Sequence, residues 1–545
     1  MDAQGATREL SPTLKRPQEQ TELEDPSSAK RVKVASEATM EVNIAEAQHS
    51  GEELPKESSE PAQDAPKPST GDLKSKGKKK EKTADRRGRR GTRNAETERP
   101  RDPDTPKEPR LPKRQCALLM GFCGAGYNGM QIQTEQGIKT IEGVLFNALV
   151  KIGAVSKDNA DNPTKVNLGR AARTDAGVHA AGNLVSMKVI TAIPGVDDFV
   201  GRVNEELPPE IRLWGVVRAQ NSFNARTSCD SRKYTYYFPS YLMIPPKPGS
   251  GLSEALRRNG SEVPSHPFWT ELEADSTPEN DLRAKRAFRV TPEQVQALRE
   301  TAKKFEGTHN FHNFTVGRDF SDRSTQRHMK RIDIADPVVY GDTEWISVLF
   351  HGQSFMLHQR KMMSALVLTC RTGTPPQIIE ELYGPRMVFI PKMPALGLLL
   401  EYPIFDTYNR RIAIVNEKLQ PTDDDYRPPI DFEIHREAID QFKQEHIYTR
   451  MRSIEDREAV FDAWIRSIDT YSGNDLLYLN SKAVIPPNAV IKKGERRPDP
   501  FRERKRFDST TFTTGGKDTA TVEEQESEEE EEVTLNKAQL ADLEG

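Results

Sequence analysis

Residues 1 to about 112 contain no Phe, Trp or Tyr, and this absence limits the possible fold more than any other feature. The stretch is built mainly from Glu, Lys, Pro, Ser and Ala. Such a segment cannot bury enough apolar area to offset the entropy lost on ordering. From about Pro498 the chain is again polar, with eight glutamates between Glu523 and Glu532. A packed core is therefore expected only within about 113–497 of the 545 residues.

Charge is segregated in the same way. Residues 521–545 hold ten acids against one lysine, so a chain of net charge −4 has −9 there and +5 elsewhere. A basic body is compatible with a polyanionic partner. Two basic clusters lie in the N-terminal tail. Lys15-Arg16 precedes Lys30-Arg31-Val32-Lys33, and KKKEKTADRRGRRGTR runs from Lys78 to Arg93. Runs of this kind serve as nuclear import signals or nonspecific nucleic-acid arms. The expectation is a nuclear protein that engages the import machinery. The N-terminus MDAQGATREL has no apolar core for a secretory signal. No stretch approaches the ~20 apolar residues that span a bilayer, so no membrane partner is expected. Cys116, Cys123, Cys229 and Cys370 form no CxxC pair. Their spacing gives neither a disulfide framework nor a zinc signature.

Within the core, two periodicities interleave. CALLMGF from Cys116 and NLVSMKVI from Asn183 read as strands, as do RKYTYYFP from Arg232, RIDIA from Arg331 and residues 344–351. A short strand is expected over 165–168. Residues 140–152 and 355–370 have helical spacing, and Thr291-Pro292-Glu293-Gln294 reads as a capping box opening a helix. The Pro-, Ser-, Gly- and Glu-rich residues 244–288 read as a surface insertion. Val460, Phe461, Trp464, Ile465 and Ile468 form an apolar stripe that suits a helix docked on the core. Strict βαβ alternation is absent, which points to an α+β class with much antiparallel sheet.

The chemistry-bearing candidate is GRAARTDAGVHAAGN, residues 169–183. Asp175 precedes Ala176-Gly177, where the chain turns. An Asp in that position is a turn cap as readily as a reactive acid. The small neighbours allow close approach by another chain or by a ligand backbone. Arg173 suits a phosphate or a carboxylate. His309 and His312 are close in sequence, but no Cys or Asp cluster accompanies them, so metal ligation is not expected. A P-loop, a GxSxG elbow and the zinc deaminase signature are all missing from the sequence.

ARTDAGVHA resembles the signature of the TruA-type pseudouridine synthases. Further segments resemble that family in the same order. They are Gly126-Tyr127-Asn128-Gly129-Met130-Gln131, Thr140-Ile141-Glu142, Asn204 with Leu207 to Arg212, Phe223-Asn224-Ala225-Arg226, Arg232 to Tyr236, Phe311 to Thr315, residues 355–363 and Pro394 to Leu398. The resemblance spans about 116–408. Met130, where bacterial members commonly carry Trp, is similar to the eukaryotic nuclear multisite branch.

The resemblance implies two similar α+β halves joined in one mixed, mainly antiparallel sheet flanked by helices, with an RNA-binding cleft between the halves. It divides the chain into a tail to 112, a catalytic domain over 113–408, a helical extension over 409–497 packed on that domain, and an acidic tail from 498. It implies isomerisation of tRNA uridines, with spliceosomal small nuclear RNA and mRNA as further substrates, and no required cofactor or metal. Asp175 matches the catalytic aspartate, as nucleophile or as base on the sugar. Tyr234 matches the residue that stacks on the base, with its hydroxyl a candidate acceptor for the proton from carbon 5. Arg173, Arg170, His179 and Leu398 are carried to RNA or uracil contacts. The family's helix commonly reads HQIRKM, but here His358-Gln359-Arg360-Lys361-Met362 is one residue shorter. Either Arg360, the preferred choice, or Lys361 then pairs with Asp175. That departure also leaves room for a catalytically impaired RNA-binding protein that retains the fold.

Overall fold

The computed structural model describes residues 111–133, 138–272, 276–495 and 501. The basic clusters at 15–33 and 78–93 and the glutamate-rich segment lie outside these residues.

Among the described residues there are ten strands, β1 (Arg114–Phe122), β2 (Gly169–Arg170), β3 (His179–Val189), β4 (Ile211–Arg218), β5 (Ser231–Pro239), β6 (Gly307–Asn310), β7 (Gln326–Ile334), β8 (Val338–Tyr340), β9 (Thr343–Gly352) and β10 (Leu398–Ile404). They form one sheet in the order β4-β1-β3-β10-β5-β9-β7-β6, with β2 added to β3 and β8 to β9. Every ladder is antiparallel except β3 with β10. The sheet is thus mixed and mainly antiparallel. The neighbouring strands β1 and β3 are buried along most of their length because both faces are covered.

The position of β10 assembles the site. It is the last strand among the described residues, yet it inserts between the group β4-β1-β3 and the group β5-β9-β7-β6. On one side Leu399 and Leu400 pair with His179 and Ala180. On the other, Leu398 and Leu400 lie opposite Tyr236 and Tyr234. The loop that precedes His179 is thereby brought beside the middle of β5. One core covers a single face of the first group, and a larger one runs from the other face of β1 and β3 beneath the second group. Leu145, Leu149 and Val203 from two helices belong to the smaller core, and Leu298, Leu366, Phe461 and Ile465 to the larger.

Local signals account for the helices. Thr140 caps Ile141–Lys151 by accepting from Gly143 N at 3.2 Å. Thr291 and Gln294 form a reciprocal capping box on Pro292–Lys303. The late apolar stripe is the buried face of Val460–Thr470, where Phe461 meets Tyr236 and Trp345 edge-on.

Two expectations are corrected and one is filled in. Residues 163–166 form a 3₁₀ turn, not a strand, because Asn162 caps Thr164 N and Pro163 fixes the first dihedral. Residues 244–288, read as a surface insertion, are built of helices Gly251–Arg258, Pro267–Thr270 and Pro278–Ala287. Leu252 and Leu256 are buried, and Lys285 forms a buried 2.7 Å ion pair with Asp462 of the late helix. Polar composition hid this packing. Finally, the helix expected over 355–370 begins only at Lys361.

Candidate active site

The ARTDAGVHA loop is gripped from several sides. Arg232, 4% exposed, donates from Nη2 and Nε to the Ala171 carbonyl at 2.6 and 3.1 Å. Asn183 donates to Ala172 O at 3.0 Å and accepts from Ala172 N and Leu184 N. Met130 N donates to Thr174 O, and Val178 N closes the turn onto Asp175 O. Gly129 adopts φ +83°, and a Cβ there would sit 2.6 Å from Thr174 O. Any side chain would push the loop away.

The small residues therefore serve protein packing. Ala171, Ala172, Ala180 and Ala181 are buried. A Cβ at Gly182 would lie 2.8 Å from Glu401 O on β10. The close approach that small residues allow is taken up within the protein, by β10 at Gly182 and by the turn at Gly129.

Asp175 opens into a cleft of about 880 Å³, including its open mouth, at the junction of the two strand groups. Arg173, Arg232, Tyr234, Phe355, His358, Arg360 and Leu398 share its walls. The Asp175 side chain is 37% exposed, and His358 Nδ1 lies 3.5 Å from its Oδ2. Burial pushes its pKa up. The neighbouring His358 and the charges of Arg360 and Lys392 outweigh that and hold it at about 2. Burial lowers the pKa of His358 despite the neighbouring carboxylate, so the imidazole is neutral near pH 7. Tyr234 is pushed up to about 12, chiefly by burial, and its ring meets Phe355 edge-on at 4.8 Å. It is a neutral phenol at physiological pH.

The structure separates the two candidates for the basic partner. Arg360 lines the cleft. Lys361 turns away, is 8% exposed, and donates to Thr315 O at 3.1 Å. His358, which the sequence reading passed over, contacts the carboxylate. The missing residue in the HQ–RKM segment was the signal that the local backbone had to change.

One expected RNA contact, His179, is corrected, and Arg170 lines the recess beside Arg173. His179 is fully buried under the loop, where its Nδ1 accepts from Gly124 N at 3.1 Å. It is packing, out of reach of a nucleic acid. Arg170 pairs with the buried Glu142, which also accepts from Ile132 N. It braces the loop against the start of helix Ile141–Lys151. Arg173 faces both the cleft and a neighbouring recess lined by Asn224 and Arg226. His309 stacks on Tyr383 and bonds Glu306 O. Among the described residues no group of three metal-ligating side chains is found. All four cysteines are free.

A family model described as tRNA pseudouridine synthase matches residues 301–406. Curated relatives match far more of the chain. The tRNA pseudouridine synthase 1 of Candida glabrata is 39% identical over 408 residues, covering 66% of this chain and 72% of the relative. That of Schizosaccharomyces pombe is 36% identical over 472 residues, covering 68% and 86%. The tRNA pseudouridine(27/28) synthase of Saccharomyces cerevisiae is 35% identical over 384 residues, covering 65% and 98%. The chain belongs to the tRNA pseudouridine synthase family.

Proposed function

We propose that this member of the tRNA pseudouridine synthase family converts uridines of tRNA to pseudouridine at the Asp175 cleft. The observation that carries the reading is an ionised carboxylate facing Tyr234 across a cleft whose walls carry Arg173, Arg232 and Arg360.

The isomerisation breaks the bond from N1 to C1′ and forms one from C5 to C1′. The proton on C5 is lost and N1 gains one, so no oxidant, nucleotide or metal is consumed. Asp175 acts on the sugar, by attack on C1′ or by removing the proton from C2′. Both routes need the acid ionised at neutral pH, which its cationic surroundings provide. The released uracil must turn without escaping. Tyr234, Phe355 and Leu398 supply apolar surface for it to turn against. Because Tyr234 is a neutral phenol, it stacks and donates a hydrogen bond; it is not a ready base.

The target uridine reaches such a cleft only when extruded from its stack. Arg173, facing both the cleft and the Arg226 recess, is placed to hold the adjacent phosphates. Contacts of this kind read backbone charge and shape, so the substrate range extends to several tRNA positions and to spliceosomal and messenger RNA. The basic N-terminal clusters suit a nuclear enzyme.

The test is to incubate uridine-labelled tRNA with wild-type and Asp175→Ala protein. Wild type should form pseudouridine at more than one position and release no free uracil. Product from the variant would overturn the role of Asp175. Modification of a single tRNA site would end the multisite reading.

A further inference from the structure

We propose that His358 is a positioning residue for Asp175, holding one carboxylate oxygen so that the other faces the sugar. This rests on the proposed activity of the cleft.

The argument starts from spacing. His358 and Arg360 are two residues apart, and on a continuous helix they would point about 200° from each other. Both nevertheless line the cleft. The chain achieves this by delaying the helix to Lys361 and placing His358 in the left-handed region, at φ +58°. A non-glycine residue there is strained and persists only where its surroundings over-determine it. They do so here. Gln359 Oε1 accepts from Met356 N at 2.7 Å, and Lys361 N donates to His358 O at 3.0 Å. Thr315 links both flanks: its Oγ1 donates to Leu357 O at 2.9 Å, and its carbonyl accepts from Lys361 Nζ. The strained turn is clamped on each side of the imidazole, and what it delivers is Nδ1 at 3.5 Å from Asp175 Oδ2.

Neutral imidazole suits this task. Its Nδ1 has no hydrogen-bond partner among the described residues and lies 3.5 Å from Asp175 Oδ2, so a small movement of the carboxylate closes that contact. The charged and titratable groups facing the pair are Arg173 on the loop, Arg232 and Tyr234 on β5, Arg360 beside it, and Lys392 from the segment before β10.

Two variants separate ring from backbone. His358→Gly keeps the left-handed turn and removes the ring. His358→Asn keeps a residue type tolerant of that turn and restores an N–H donor. Wild-type conversion that vanishes in Asp175→Ala tests the underlying reading. Relative to that conversion, His358→Gly should lose on the order of 10- to 100-fold in kcat, the cost of a misoriented group. Its tRNA affinity and Tm should stay at wild-type values, and the acid limb of its kcat profile should move to higher pH. His358→Asn should recover part of kcat and of the limb. A His358→Gly protein with wild-type kcat and acid limb would overturn the proposal. So would equal losses in both variants accompanied by a lowered Tm, which would make His358 purely structural.

Discussion

Two carboxylates removed from bulk water behave in opposite ways. Asp175, in the cleft, is held at about 2, whereas Glu455, 2% exposed under the C-terminal helices, is pushed up to about 7. Burial raises both. The difference lies in the neighbours. Asp175 faces His358, Arg360 and Lys392. Glu455 accepts from the Tyr241 hydroxyl and from Phe461 N, and Asp462 lies near it. Neutral donors satisfy lone pairs but do not repay the loss of water around a charge. The molecule spends cations where a charge must react, and lets a structural acid sit near its neutral form.

The largest expected effect tests the cleft. Asp175→Asn preserves shape and removes the charge, so pseudouridine formation should fall by about 10³-fold or more, roughly 4 kcal/mol of barrier. Thermal stability should not fall, because a partly exposed acid surrounded by cations is there for chemistry. An active, less stable variant would reverse the comparison. Next comes the C-terminal interface. Asp462→Ala would strand Lys285, whose side chain is 5% exposed. An uncompensated buried charge costs about 3–5 kcal/mol. Denaturant unfolding should show that loss, with kcat per folded molecule unchanged.

Much of this was legible because it is local or periodic. Alternation in RKYTYYFP marks β5, Thr291 and Gln294 mark a helix start, and the ordered segments around Asp175 mark the reactive acid. What escaped depends on contacts distant in sequence. The packing role of Gly182 exists only because β10, more than 200 residues later, crosses beside it. Arg170 lines the recess beside Arg173, and the buried Glu142 that braces it there lies on another element. His179 looks available until Gly124 closes over its ring. His358 needed a backbone conformation that no periodicity encodes.

Glu455→Gln sharpens the comparison through pH. The folded-state pKa of Glu455 lies above its ordinary value, near 7 against 4.5. The folded protein thus binds this proton more tightly than the unfolded chain. The resulting stability is full below about pH 4.5 and is lost as pH rises through about 7. The glutamine variant lacks this dependence. It should be more stable than wild type at pH 8, by on the order of 1–3 kcal/mol, and equal to it near pH 5. Thermal melts at the two pH values check this; identical melts would place Glu455 among ordinary exposed acids.

The smallest effect separates the adjacent cations. Lys361→Met removes an amine that donates to Thr315 O and lies 5.7 Å from the Phe389 ring centre. The loss should be about 1 kcal/mol of stability, with kcat falling less than in His358→Gly because Thr315 Oγ1 still holds Leu357. Arg360→Met removes a charge that faces Asp175, so its acid limb should move to higher pH while that of Lys361→Met stays in place. If the two profiles moved together, the cleft would be sensing total charge. If only Arg360→Met moved, a single step along the backbone would divide a residue that maintains an ionised acid from one that only supports the turn beside it.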